Sequence, residues 1–66
     1  MEIVFDKKLY KLEAIRSAIG AFAGLADFVL KSNQRGIAVK ISNIDPEAAD
    51  IIDGEFANYV LAQMKK

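Results

Sequence analysis

Apolar residues recur along this chain at two different spacings, and the changes between them divide it into five elements. Ile3 and Phe5 alternate with Glu2, Val4 and Asp6, the period of a half-buried strand. From Lys11 the spacing becomes three and four. Leu12, Ile15, Ile19 and Phe22 share one side of a helix, with Glu13 in its first turn and only a weak cap ahead of it. A second stripe on this helix is made of small residues, Ala14, Ala18 and Ala21, with Leu25 at its far end. Such a stripe lets another helix come close, the last helix of the same chain in preference to a second copy. Gly20, worth about 1 kcal/mol less than alanine inside a helix, adds to the expectation of tight packing.

The next segment reads two ways. The three-and-four spacing continues through Ala26 and Val29, so residues 25–32 could prolong the helix to about Asn33. The favoured reading ends the helix near Gly24 and takes Asp27 to Ser42 as two alternating runs around a polar turn containing Asn33 and Gly36. That hairpin places Phe28, Leu30, Ile37, Val39 and Ile41 on a core face. It turns Asp27, Val29, Lys31, Ala38, Lys40 and Ser42 outward.

The last third, from Asp45 to Lys66, reads as one amphipathic helix: Asp45 as cap, Pro46 at the first helical position, acids early and lysines late. Ala48, Ile52, Phe56, Tyr59, Val60 and Met64 fall on one broad face, and Ile51 and Leu61 lie outside it. The expected fold is therefore α+β, in the order β-α-β-β-α, with a small three-stranded sheet covered on one face by both helices. At 66 residues it is a single small domain, 1–66, without repeats or linkers.

Composition changes this picture in two respects. The apolar fraction of 53% is high for a chain whose small core hides only about 60% of its unfolded surface, so some of it is expected to meet a partner or another copy. The absence of cysteine and histidine excludes disulfides, thiolate and imidazole catalysis and the usual zinc sets. Nine basic and nine acidic residues cancel, which argues against nucleic acid or an anionic membrane as partner, although Lys31, Arg35 and Lys40 gather near the hairpin with Phe28. The charge is uneven along the chain. Residues 1–44 carry seven cations against four acids and residues 45–66 five acids against two lysines, a pattern read here as dipole matching and a solvated face. No apolar run reaches the ~20 residues of a membrane span, and the start lacks a signal-like segment, so a cytoplasmic location is expected.

No catalytic constellation is visible. Asp50 and Asp53, three apart on the expected helix, are a weak cation pair, and no cofactor or metal is expected. The candidates are contact residues instead. Ile51, Glu55, Asn58 and Ala62 make a strip on the flank of the last helix, either a partner surface or an edge lying on the first helix with Asn58 bonded internally. Val4, Val29 and Ala38 mark the open sheet face. Gly54 and Asn58 are poor helix formers, so a local cap, a close helix contact or a partner shapes this run.

The run Gly54-Glu55-Phe56-Ala57-Asn58, followed by Leu61 and Gln63, resembles the C-terminal signature of the HxsD family, small proteins of His-Xaa-Ser peptide-modification systems. The resemblance extends through Tyr10, Leu12-Glu13-Ala14-Ile15, Ala18, Phe22 and Ile37-Ala38-Val39-Lys40-Ile41. Where the family tends to carry a basic residue near position 62 or slightly beyond, this chain has Ala62 and Met64 before Lys65 and Lys66. The resemblance implies a non-catalytic accessory role beside radical-SAM enzymes that modify small peptides, with a precursor peptide or the modifying enzyme as partner. A self-associating structural protein, a homo-oligomer with no ligand of its own, is the alternative.

Overall fold

The computed structural model describes residues 1–65. The elements follow in the order β1 (Glu2–Phe5), α1 (Leu12–Phe22), β2 (Asp27–Ser32), β3 (Ile37–Ser42) and α2 (Ile52–Met64). The fold is the α+β arrangement expected from the spacing, with residues 27–32 a strand and not a continuation of α1. β3 lies in the middle of the sheet, antiparallel to both neighbours, so β1 and β2 run the same way on its two sides and α1 connects them.

The register explains which residues are inside. Phe5, Ile37 and Ser32 form one row across the sheet, and Ile3, Val39 and Leu30 the next. Ile37, Val39 and Ile41 on the central strand are fully buried, whereas Phe28 and Leu30 on the edge strand are half-buried. Ile15 and Ala18 of α1 and Ile52, Phe56 and Val60 of α2 close the same core. The hairpin turn is held by Asn33, whose carboxamide Oδ1 accepts the amides of Arg35 and Gly36 at 2.8 and 3.1 Å, a side chain standing in for a backbone turn. At the other end of β3, Asn43 takes φ 51°, a left-handed conformation that asparagine tolerates.

The structure corrects three expectations. The last helix begins at Ile52 and not behind Asp45; residues 46–51 are turns. Asp45 Oδ1 does accept the Glu47 amide at 2.9 Å, and the amides of Ala48 and Ala49 reach back three residues. Asp-Pro therefore opens a turn, for which it is equally suited, and Ile51 at φ −122° interrupts the path before α2 starts. Asp50 consequently lies in the turn, off the helix that carries Asp53. Second, Ala14 and Ala18 are buried but Ala21 and Leu25 are exposed, so the small-residue stripe packs only over its first half.

The third correction concerns the helical glycines. A Cβ at Gly20 or Gly54 would meet nothing within 4 Å, so neither marks a close contact within the chain. Gly20→Ala should thus stabilise the protein by about 0.5–1 kcal/mol through helix propensity alone. A melting temperature that falls would contradict the open environment assigned to that position.

Candidate functional site

The strip expected on the last helix is in place and faces away from the core. Ile51, the residue just ahead of α2, is 57% exposed and Leu61 45%, and Glu55, Asn58 and Ala62 beside them are exposed as well. Phe56, on the opposite side of the helix, is fully buried. Asn58 is itself in solvent, which weighs against the alternative in which it is bonded internally. Asn58→Ala should leave stability within about 0.5 kcal/mol, read as an unchanged urea midpoint; a loss of ~1–3 kcal/mol would return Asn58 to the interior.

The second group, Val4, Val29 and Ala38, lies on the sheet face turned away from the helices. Val4, Ala38 and Lys31 make one cross-strand row and Glu2, Lys40 and Val29 the next, so the two valines sit diagonally among charges. Val4 and Val29 are exposed and Ala38 is half-buried. The seven candidate residues therefore belong to two surfaces on opposite sides of the molecule and do not converge.

Both outer strands present free edges. Asn33 and Gly36 close the hairpin with a backbone bond, Asn33 N–H to Gly36 O at 3.0 Å. By the alternation of an antiparallel ladder, Val29 and Lys31 then bond to β3, while the backbone groups of Phe28, Leu30 and Ser32 point outward. On the far side the Met1–Ile41 pair fixes the same alternation, leaving the groups of Glu2 and Val4 outward. β2 offers six residues of edge and β1 four.

The topology also assembles a feature that the order of residues conceals. β1 and β2 finish, β3 and α1 begin and α2 finishes at one end of the molecule, where the Lys7 ammonium donates to the Asn33 carbonyl at 3.0 Å and the Lys11 amide to Met64 Sδ at 3.1 Å. That end collects Lys7, Lys8, Lys11, Arg16, Lys31, Arg35 and Lys65 against Asp6 and Glu13. The opposite end, where the Asp45 amide bonds the Leu25 carbonyl and Asn43 bonds Asp27, holds the start of β2, the 46–51 turns and the first turn of α2. It collects Asp27, Asp45, Glu47, Asp50, Asp53 and Glu55 against the Met1 ammonium. A chain of zero net charge is thereby strongly polar from end to end.

At the basic end the surface is concave. A cleft of about 760 Å³ opens between the first turns of α1 and the end of the sheet, lined by Lys7, Tyr10, Lys11, Leu12, Glu13, Arg16, Ser32 and Ile37. The cleft is wide and open to solvent. Sequence reading singled out Lys31, Arg35 and Lys40 and missed this group, whose members lie on a loop, a helix and two strands. The uneven charge along the chain was its only signal.

Among the described residues no three His, Cys, Asp or Glu side chains are grouped to hold a metal, and no helix is long and apolar enough to cross a membrane. Among the described residues, fold and surfaces together define a small α+β protein with an open sheet face, free strand edges and a basic cleft. Compared with known proteins, the chain matches no family model, no curated protein and no solved structure.

Proposed function

We propose that the protein is a non-catalytic, peptide-binding accessory protein, working in the cytoplasm beside a radical-SAM enzyme of a His-Xaa-Ser type peptide-maturation system. The observation that carries the binding half of this reading is the six-residue edge of β2, whose outward backbone groups can pair with an extended peptide while neighbouring side chains select its sequence. The resemblance of Gly54–Asn58 and its neighbours to the HxsD signature supports the choice of system. Titrating labelled precursor peptide, and separately the modifying enzyme, into the protein tests it. The expected result is binding of the peptide with slowed amide exchange at Phe28, Leu30 and Ser32. No binding to either at tens of micromolar would remove the proposal, and neighbouring genes without a radical-SAM enzyme would remove its choice of system.

Self-association is the second reading, favoured by exposed Val4, Val29, Ile51 and Leu61 on two faces of so small a molecule. Sedimentation separates the two. An obligate oligomer shows no monomer at low micromolar concentration, whereas a peptide-binding monomer does.

A further inference from the structure

We propose that the cleft at the basic end holds an acidic stretch of peptide, its carboxylates lying between Lys7, Lys11 and Arg16. This deepens the peptide-binding reading and rests on it for the choice of a peptide as occupant. The cleft itself supplies the chemistry. Three cations line it against the single carboxylate of Glu13, and the hydroxyls of Tyr10 and Ser32 are available as further donors. Leu12 and Ile37 provide apolar wall between them. Lys7 is already oriented, since its ammonium bridges from the β1–α1 loop to the Asn33 carbonyl and has two further protons to offer.

Position also favours an extended chain. Ser32 belongs at once to the cleft and to the outward-facing edge of β2, so a strand added to that edge runs on into the cationic space. The surrounding Lys8, Lys31 and Arg35 add to the positive field there and favour approach of an acidic segment. A second copy of this chain also carries an acidic end, but those acids are scattered over a strand, a turn and a helix. Three of them are engaged in local hydrogen bonds, Asp27 with Asn43, Asp45 with Glu47 and Asp53 with Gly54. Folded in this way, they form no continuous extended acidic segment to lay into a cleft.

The test is an NMR titration of the labelled full chain with hexaglutamate, with a neutral Gly-Ser hexapeptide and with inorganic phosphate. Hexaglutamate should shift the amides of Lys7, Lys11, Leu12, Arg16 and Ser32, and the neutral peptide should not. The Lys11→Glu/Arg16→Glu variant, its fold checked by its own spectrum, should bind about tenfold more weakly, while Lys40→Glu on the open sheet face should change affinity less than twofold. Raising ionic strength should weaken binding as charge screening requires. No shifts with hexaglutamate, or shifts spread over the surface and indifferent to the double variant, would overturn the proposal. So would phosphate shifting the same amides at equal or lower concentration, which assigns a small-anion site. Cleft shifts that grow with protein concentration alone assign the acidic end of a second copy and overturn it as well. Hexaglutamate in the cleft with no precursor peptide at β2 would sink the proposed function and leave the cleft standing; precursor peptide at β2 with an indifferent cleft would do the reverse.

Discussion

Phe56→Ala should remove a large part of the protein's stability at 25 °C. Phe56 is fully buried, and its ring meets one aromatic ring from each of three other elements: Phe5 of β1 at 6.2 Å, Phe22 of α1 at 5.6 Å edge-on, and Phe28 of β2 at 5.3 Å, nearly parallel. Truncation leaves a cavity where these rings converge and is expected to cost about 3–5 kcal/mol. At about 0.05–0.15 kcal/mol per residue, a chain of this size holds only ~3–10 kcal/mol in all. The comparison variant is Ile51→Ala, five positions earlier and mostly in solvent, which should stay within about 0.5 kcal/mol of the parent. Urea denaturation of both decides the matter. Equal losses would mean that the buried face of α2 has been misassigned.

That face was readable in the sequence because a single physical rule determines it. Ile52, Phe56 and Val60 recur every four residues and all are buried; Ile51 and Leu61 break the spacing and are exposed. The hairpin was readable for a similar reason, since Ile37, Val39 and Ile41 alternate and the turn between the strands carries both Asn33 and Gly36. Where two structures use the same residues, the reading failed. Asp45 and Pro46 suit a helix start and a turn alike, and what separates them is the path that brings the Asp45 amide onto the Leu25 carbonyl, a contact that no local pattern encodes. The helical glycines misled in the same way, because a glycine in sequence records only that alanine was not chosen, not whether anything lies beside it.

The candidate surfaces divide along the same line. Glu55, Asn58 and Ala62 share a helix face, with Ile51 just ahead of it, and their exposure could be read from periodicity, as could the outward positions of Val4, Val29 and Ala38. The basic cleft could not. Lys7, Lys11 and Arg16 meet Ser32 only because β1 and β2 finish at the same end of the sheet, a consequence of β3 lying between them. Sequence order supplied the charges, and topology sorted them to opposite ends.

Gly36→Ala should be the variant that damages the fold and the cleft together. Gly36 is buried just ahead of the central strand, and a Cβ there would stand 2.8 Å from the carbonyl oxygen of Phe5 and 3.5 Å from Val4 Cγ1. The glycine is not required for its dihedral angle, as no glycine among the described residues has positive φ; it is required for space. The obstructing atom is backbone, so relief cannot come from turning a side chain. The end of β1 must move away from β3. Overpacking of this kind typically costs about 1–3 kcal/mol, which for a domain this small lowers the melting temperature by about 4–8 °C per kcal/mol. The displacement does not stop at the strand. The Phe5 ring packs edge-on against Tyr10 at 5.0 Å, and Tyr10 is a wall of the cleft beside Lys7 and Lys11. Gly36→Ala should therefore weaken hexaglutamate binding even at temperatures where the variant is fully folded, although it changes no charge. Gly20→Ala serves as the control, an added methyl group in open space that should raise the melting temperature and leave the cleft untouched. If Gly36→Ala melts with the parent, the approach of Phe5 to β3 is looser than this geometry requires, and the coupling from Gly36 through Phe5 to Tyr10 fails with it.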